Sequence, residues 1–169
     1  SSIHTLIKDA KAYFFVKTYY SAGNNKERPH GYGRVARYAW GKDYHKVLKK
    51  KLIALIEELK LATGLNFNAR IFSDAVPLLE RAHAREAGIG FIGKNSMLIE
   101  FGKGSVSLLA GVCLDIDIET DEKESTFSEK LLKSRSEKAC GTCTKCITNC
   151  PTSAIVKDYT VSAVRCISY

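Results

Sequence analysis

The sequence has 169 residues, of which 45% are hydrophobic, and its formal net charge is +8 at pH 7. This length suits one domain with an appendage, and the composition is ordinary for a globular protein. No apolar run approaches the length of a membrane span, and no basic segment leads into an apolar one at the N-terminus, so neither a span nor a signal peptide is expected. Residues 1–70 hold 14 basic and 5 acidic side chains. That bias suits a polyanionic partner, although a solvated basic surface explains it equally well.

The N-terminal half contains two patterned segments. Residues 12–20 are aromatic and β-branched, which predicts a buried strand. A helix is predicted from an N-cap at Asp43 to Gly64, because apolar residues recur between them at helical spacing. Those apolar residues are Val47, Leu48, Leu52, Leu55, Ile56 and Leu59. Its first turns bear Lys46, Lys49, Lys50 and Lys51, which form either a solvated face or a phosphate-facing one.

Asp43-Tyr44-His45 resembles the start of D-x-H-x-x-G, by which some cobalamin proteins supply a histidine to cobalt. Leu48 stands where that motif needs glycine, so the motif is rejected. Three of the four histidines, His30, His45 and His83, are interpreted as polar structural residues rather than ligands.

The middle of the chain predicts short elements. Residues 66–72 predict a second strand leading to Asp74, and Pro77 predicts the start of a helix that runs to Glu86. An aspartate before a helix is most often an N-cap, which is the ordinary interpretation of Asp74. Three glycines within residues 88–93 match neither a dinucleotide-binding nor a Walker pattern. Residues 96–100 and 105–114 predict two strands paired around a Gly102-Lys-Gly104 turn, with Cys113 buried.

Residues 115–138 are charged and predict an exposed connection with one short helix. Four cysteines follow, in the spacing C-x2-C-x2-C-x3-C-P, which is the spacing of bacterial iron–sulfur ligation. They are Cys140, Cys143, Cys146 and Cys150, and residues 151–155 predict a short helix after them. The first three thiolates bind one 4Fe–4S cluster in such motifs, and the fourth binds a second cluster. A structural zinc site is the alternative, but zinc usually takes two well-separated C-x2-C pairs.

Two 4Fe–4S clusters need eight thiolates, and the chain has six cysteines. Cys166 is the plausible partner of Cys150 on the second cluster. The remaining ligands are therefore expected from sequence beyond this chain or from another chain, and this chain alone is not expected to assemble two clusters.

Five segments occur together in one order: Arg37–His45, Asp74–Arg81, Ala87–Asn95, Cys140–Ile155 and Arg165–Tyr169. In these segments, which span about residues 12–169, the chain resembles the epoxyqueuosine reductases, tRNA-modifying enzymes of queuosine biosynthesis. It departs from their pattern at Gly111, where a glutamate usually follows the strand. The resemblance implies an α+β fold. A nitroreductase-like cobalamin-binding domain would occupy residues 1–116, N-terminally incomplete, and a charged connection residues 117–138. Part of a two-cluster ferredoxin-like domain would occupy residues 139–169, C-terminally incomplete.

The resemblance also implies a reaction: epoxyqueuosine in the anticodon loop of tRNA is reduced to queuosine. Electrons would pass from a donor through two 4Fe–4S clusters to cobalamin, and Asp74 would supply a proton. A carboxylic acid that donates near neutral pH needs a raised pKa, which burial against an apolar cofactor can provide. The implied cobalamin-pocket residues are Tyr38, Asp74, Arg81, Lys94, Leu98 and Ser168. The implied cluster ligands are Cys140, Cys143, Cys146, Cys150 and Cys166.

Three other interpretations remain open at the level of sequence. They are a corrinoid-dependent reductive dehalogenase, a plain ferredoxin-type electron-transfer module and a zinc-binding interaction module. The basic first half and the absence of an export signal favour the tRNA enzyme, as a cytoplasmic monomer that does not associate with membranes.

Overall fold

The computed structural model describes residues 9–20, 30–33, 35–74, 76, 78–119 and 139–168. These residues form a mixed fold of helices and antiparallel strands, which agrees with the coarse prediction of both element types. Backbone contacts divide the chain into two compact units. Unit 1 comprises residues 1–80 and 106–118, and unit 2 comprises residues 81–105 and 119–169. The boundaries predicted at residues 116 and 139 divide the chain by the cofactor that each part is expected to bind, whereas the two units are defined by backbone contacts. The predicted boundaries therefore stay a prediction.

Unit 1 is built on a three-stranded antiparallel sheet. Its strands are β1 (Ala12–Tyr19), β2 (Ala69–Phe72) and β5 (Ser107–Leu114), in the order β1-β5-β2. Strand β5 is central because residues 111–114 pair with both β1 and β2, and its last five residues are buried. Strand β1 is only half-buried, so its burial was overestimated from sequence, since an edge strand of this sheet contacts one neighbour.

Helix α1 (Tyr44–Thr63) packs against this sheet. The Asp43 carboxylate accepts a hydrogen bond from the backbone N–H of His45, and Gly64 ends the helix in the left-handed conformation, as predicted. Only the face formed by Leu48, Leu52 and Ile56 is buried, and burying each side chain contributes about 2 kcal/mol. Two other predicted core positions, Val47 and Leu55, are exposed because they lie off that face.

The predicted pairing around Gly102–Gly104 is wrong. Strand β4 (Leu98–Ile99) pairs with β3 (Phe91–Ile92) in unit 2, and Glu100 and Gly104 form only an isolated bridge. The turn itself exists, with positive φ at both Gly102 and Gly104. Strand β5, which follows the turn, lies at the centre of the three-stranded sheet of unit 1. Its two neighbouring strands bury it more completely than a single hairpin partner would.

Helix α2 covers Glu80–Glu86, so it begins three residues after the predicted start, and Pro77 lies outside the described residues. The strand predicted over residues 66–72 is confirmed over Ala69–Phe72. Most of the charged connection, residues 120–138, also lies outside the described part of the chain.

The C-terminal part of unit 2 contains helix α3 (Lys145–Thr148) and a hairpin of β6 (Ile155–Lys157) and β7 (Thr160–Val161). A 3-10 helix, Ala163–Arg165, leads to Cys166. The helix predicted over residues 151–155 is wrong, because a turn occupies residues 151–152 and Ile155 already pairs with Val161.

Candidate active site and cysteine segment

Asp74 lies in a loop that follows strand β2 directly. The hydroxyl of Ser73 donates to the carbonyl oxygen of Leu109 at 2.8 Å, which ties the loop to the central strand. Asp74 itself has a φ of 53°, a left-handed conformation that costs a non-glycine residue about 1 kcal/mol. Its backbone N–H donates to Oε1 of the buried Glu80 at 2.8 Å. These two anchors hold the aspartate in a conformation that the local sequence alone does not favour.

The Asp74 carboxylate contacts the first turn of helix α1. The Tyr44 hydroxyl donates to Oδ2 of Asp74, and the Tyr44 ring packs edge-on against Tyr38 with centroids 6.3 Å apart. Burial and then the Asp74 carboxylate raise the pKa of Tyr44, so the hydroxyl stays protonated and remains a donor. The N-cap interpretation of Asp74 is wrong by position, because helix α2 begins six residues later.

Asp43 and His45 complete this cluster, and the interpretation of His45 as an ordinary polar residue missed it. Nδ1 of His45 lies 2.9 Å from Oδ1 of Asp43, and Nε2 lies 3.8 Å from Oδ2 of Asp74. Hydrogen bonding to His45 lowers the pKa of Asp43. The i,i+2 spacing of Asp43 and His45 was visible in the sequence, but only the tertiary structure places Asp74 beside them.

In unit 2, Arg81 and Lys94 hold the glycine-containing loop, residues 88–96, in place. Nη1 of Arg81 donates to the carbonyl oxygen of Ser96 at 2.7 Å. Nζ of Lys94 pairs with Oδ2 of Asp158 at 3.1 Å, and its side chain is only 12% exposed. Hydrogen bonding to Asp158 raises the pKa of Lys94. Lys94 is therefore a paired cation that joins the loop to the β6–β7 hairpin, rather than a free surface lysine.

Close packing explains the presence of glycine at two of the three glycine positions in this loop. A Cβ at Gly90 would overlap the carbonyl oxygen of Ile99, and a Cβ at Gly93 would overlap the Ile99 side chain. The neighbouring Leu98 is 6% exposed within the β3–β4 hairpin. The hairpin therefore requires glycine at residue 90, where the obstacle is backbone, whereas at residue 93 the obstacle is the end of a flexible side chain.

Gly111 is the position at which a glutamate was expected from the resemblance. It faces Phe15 and Phe72 across the two strand pairs of unit 1, and a Cβ there would overlap the Phe72 ring. The two phenylalanine rings meet edge to face with centroids 5.5 Å apart. The aromatic ring of Phe72 occupies the space that any side chain at residue 111 would need.

The cysteine segment forms a tight turn and one helical turn. The N–H of Cys143 donates to the carbonyl oxygen of Cys140 at 2.8 Å, and Cys146 follows within helix α3. Cys166 ends the 3-10 helix, and none of the six cysteines, all of which lie in the described ranges, forms a disulfide. Cys113 is completely buried in β5, as predicted.

Cys150 has an environment that suits a thiolate ligand. The N–H of Ala154 donates to its sulfur at 3.2 Å, and N–H groups of Thr152 and Ile155 contribute as well. These backbone donors lower the pKa of the Cys150 thiol. Backbone N–H groups directed at sulfur are also what surrounds iron–sulfur clusters and tunes their reduction potentials. The donor set therefore fits a cluster at this end of unit 2.

Within the described ranges, no three His, Cys, Asp or Glu side chains are grouped closely enough to hold one metal ion. A four-iron cluster spreads its thiolates further apart than a single ion does, because each thiolate binds a different iron. In the described part of the chain, no helix is long and apolar enough to cross a membrane.

The predicted pocket residues fall into both units. Tyr38 and Asp74 belong to unit 1, where Tyr44 connects them. The others belong to unit 2, with Ser168 exposed near its end; they are Arg81, Lys94, Leu98 and Ser168.

A family profile described as "Epoxyqueuosine reductase QueG, DUF1730" matches residues 1–75. The epoxyqueuosine reductase of Xanthomonas campestris is 42% identical over 135 residues, which cover 80% of this chain and 34% of that protein. The epoxyqueuosine reductase of Synechocystis is 34% identical over 168 residues, covering 99% of this chain and 54% of the relative. The predicted resemblance to epoxyqueuosine reductases is confirmed.

Solved epoxyqueuosine reductase structures match the fold as well. One, determined with an epoxyqueuosine-modified tRNA-Tyr stem loop, has 32% identity and a TM-score of 0.75 over 98% of this chain. Another, from Bacillus subtilis, is described with its catalytic aspartate loop swung out of the active site; it has 29% identity and a TM-score of 0.68. The chain spans about two fifths of each of these proteins, and 34% and 54% of the two relatives above.

Proposed function

We propose that this chain forms part of an epoxyqueuosine reductase that converts epoxyqueuosine in the anticodon loop of tRNA to queuosine. Similarity to epoxyqueuosine reductases over nearly the whole chain supports this, as does the solved relative with an epoxyqueuosine-modified stem loop. The reaction joins one epoxide, two electrons and two protons to give one alkene and one water. The protein must therefore provide an electron route and a proton donor at the epoxide oxygen.

The observation that supports the proposal most directly is the conformation of the Asp74 loop, which holds an exposed carboxylate at the end of strand β2. Asp74 projects from a strained backbone position, its carboxylate is 62% exposed, and it accepts a hydrogen bond from the Tyr44 hydroxyl. An anchored carboxylic acid on a rigid strand end is suited to deliver a proton to a leaving oxygen. We assign Asp74 this role, and the catalytic aspartate loop of the Bacillus subtilis relative is consistent with it.

The residues proposed to hold cobalamin are Tyr38, Asp74, Arg81, Lys94, Leu98 and Ser168. The first five belong to the nitroreductase-like domain proposed at residues 1–116, and Ser168 lies outside it, near the end of the chain. When bound, cobalamin would supply reducing electrons to the epoxide. Tyr38 is half-exposed and could present its ring to a flat ligand. Arg81 and Lys94 fix the loop whose backbone would bind the amide groups at the ligand's edge, through their bonds to Ser96 and Asp158.

The residues proposed to bind clusters are Cys140, Cys143 and Cys146 on one cluster and Cys150 and Cys166 on the other, within a ferredoxin-like domain at residues 139–169. The N–H groups around the Cys150 sulfur support this assignment, because they stabilise a thiolate. An electron donor, a cytoplasmic location and a monomeric state complete the proposal.

The test uses the full-length protein, reconstituted with cobalamin and iron–sulfur clusters and incubated with a reductant and epoxyqueuosine-containing tRNA. Queuosine is measured by nucleoside mass spectrometry. We expect Asp74→Asn to lower kcat by about 100-fold or more, because the amide cannot donate the proton. Asp117→Asn is the matched control, since Asp117 is 83% exposed and pairs with Lys11.

Absence of queuosine with the wild-type protein would refute the proposed function. Wild-type activity in Asp74→Asn would refute only the assignment of the proton donor.

A further inference from the structure

The stoichiometry leaves one requirement that Asp74 alone does not meet. Conversion of the epoxide to an alkene and water consumes two protons, and one carboxylic acid holds one. Asp74 must therefore be reprotonated within each turnover or before the next one. The question is which neighbouring group transfers the second proton to it.

We propose that His45, oriented by Asp43, is the positioning residue that returns a proton to Asp74; this rests on the proposed function. The imidazole bridges the two carboxylates, with Nδ1 at 2.9 Å from Asp43 and Nε2 at 3.8 Å from Asp74. Because Asp43 engages Nδ1, Nε2 is the nitrogen directed at the donor. A distance of 3.8 Å is closed by a small rotation of either side chain or by one bridging water.

The position of His45 suits exchange with solvent. Its side chain is 47% exposed, and its ring stacks on Tyr44 with centroids 4.0 Å apart, so one face is fixed while an edge remains accessible. Histidine is also the side chain that gains and loses protons most readily near neutral pH. The Asp43 carboxylate lies 2.9 Å from Nδ1, where it accepts a hydrogen bond from the ring and holds its orientation.

The other groups near Asp74 are less suited to this step. Burial and the Asp74 carboxylate raise the pKa of Tyr44, so its hydroxyl orients Asp74 but gives up its own proton poorly. Glu80 is buried and accepts from the Asp74 backbone N–H. Of the remaining charged or titratable groups, Lys46 acts on Asp43, and Tyr38 packs on Tyr44.

The proton balance is simple. Asp74 gives its proton to the oxygen that leaves the substrate and becomes a carboxylate. The imidazolium of His45 then transfers the Nε2 proton to Asp74 and becomes neutral, and water reprotonates the ring. The external reductant supplies the two electrons, so neither His45 nor Asp43 changes oxidation state.

The test compares His45→Ala, His45→Gln, Asp43→Asn and a matched control, His30→Gln, in the full-length reconstituted protein. His30 is exposed and has no part in the cluster. We expect His45→Ala and His45→Gln to lower kcat by about 10-fold or more with little change in KM for the tRNA, because general acid–base groups contribute at least that much. Asp43→Asn should lower kcat less, and His30→Gln should not change it.

Two readouts separate proton transfer from a merely structural role. Added imidazole should restore much of the kcat of His45→Ala, and the decline of kcat at high pH should change in both His45 variants. Cobalamin binding, followed by visible absorbance, should stay intact in every variant, which shows that the fold is preserved.

Wild-type kcat in His45→Gln would overturn the proposal, because glutamine keeps the polar contacts but cannot relay a proton at neutral pH. Lost activity that imidazole does not restore, or a loss that appears only in KM, would also overturn it. The proposed function would stand in these cases, provided that the wild-type protein makes queuosine. If the wild-type protein makes none, both proposals fail together.

Discussion

At the scale of single residues, the packing of the Phe72 ring on Gly111 excludes a side chain at residue 111. The Phe72 ring lies over Gly111, and the Phe15 ring meets Phe72 edge to face on the same side of the sheet. Phe72 also ends the strand that leads to Asp74, so its packing helps to place the proposed proton donor. Glycine at residue 111 thus leaves room for the Phe72 ring, which fills the space of the missing side chain.

Gly111→Ala should destabilise the full-length protein by about 1–3 kcal/mol, because the added methyl group overpacks a buried site. Urea unfolding followed by circular dichroism measures the loss. Gly41→Ala is the matched control, since nothing lies within 4 Å of a Cβ at that position. Combining Gly111→Ala with Phe72→Leu should cost less than the sum of the single changes, because the smaller side chain makes room. Equal losses at residues 41 and 111 would contradict this explanation.

At the scale of elements, Asn68 and Asp115 join the start of β2 to the end of β5. Oδ1 of Asp115 accepts from the Asn68 backbone N–H at 2.8 Å, and Oδ2 accepts from the Asn68 side-chain amide at 2.7 Å. These hydrogen bonds lower the pKa of Asp115 below its ordinary value of 3.8. The carboxylate form is therefore favoured in the folded protein relative to the unfolded one.

A group with a lowered pKa contributes stability above its unfolded pKa and loses it as the pH falls through its folded pKa. Asp115→Asn should therefore lower the urea midpoint at pH 7. The difference from wild type should shrink below about pH 4, as protonation removes the same interaction. Asp117→Asn, two residues along the chain, serves as the control and should have a smaller effect at pH 7. A difference that stays constant down to pH 2 would argue against this pairing.

At the scale of the whole molecule, the charge is uneven. Residues 1–70 carry a net charge of +9, against +8 for the whole sequence, and the exposed lysines of helix α1 contribute to it. Basic side chains that neutralise phosphates release counterions, so affinity for a nucleic acid falls as salt rises. If unit 1 contacts the proposed tRNA substrate, this helix surface is the expected place.

Lys49→Glu combined with Lys50→Glu should raise KM for tRNA without a matching fall in kcat, because phosphate contacts contribute to binding rather than to chemistry. The slope of log affinity against log salt should become shallower by about 1–2, since two phosphate contacts are lost. Lys49→Arg combined with Lys50→Arg keeps the charge and should behave as wild type. An unchanged KM in the glutamate variant would place the tRNA elsewhere.

Local sequence determined much of this protein. Asp43 and Gly64 bound helix α1 as predicted, because capping and helix termination depend on adjacent residues. The cysteine spacing predicts a cluster motif from sequence alone for the same reason, since the four cysteines lie within one short segment, and this stays a prediction. Strands β1 and β2 were also found from their own composition, although β2 proved shorter.

Only the tertiary structure decided which strands pair and which polar groups meet. The apolar run of β5 was assigned to a hairpin with residues 96–100, but burial between β1 and β2 gives it two partners instead of one. In the same way, Asp74 follows Asp43 and His45 by about thirty residues, and no local pattern links them. The sheet and helix α1 bring them together, because long-range packing of apolar faces, rather than sequence spacing, fixes where a strand end meets a helix start.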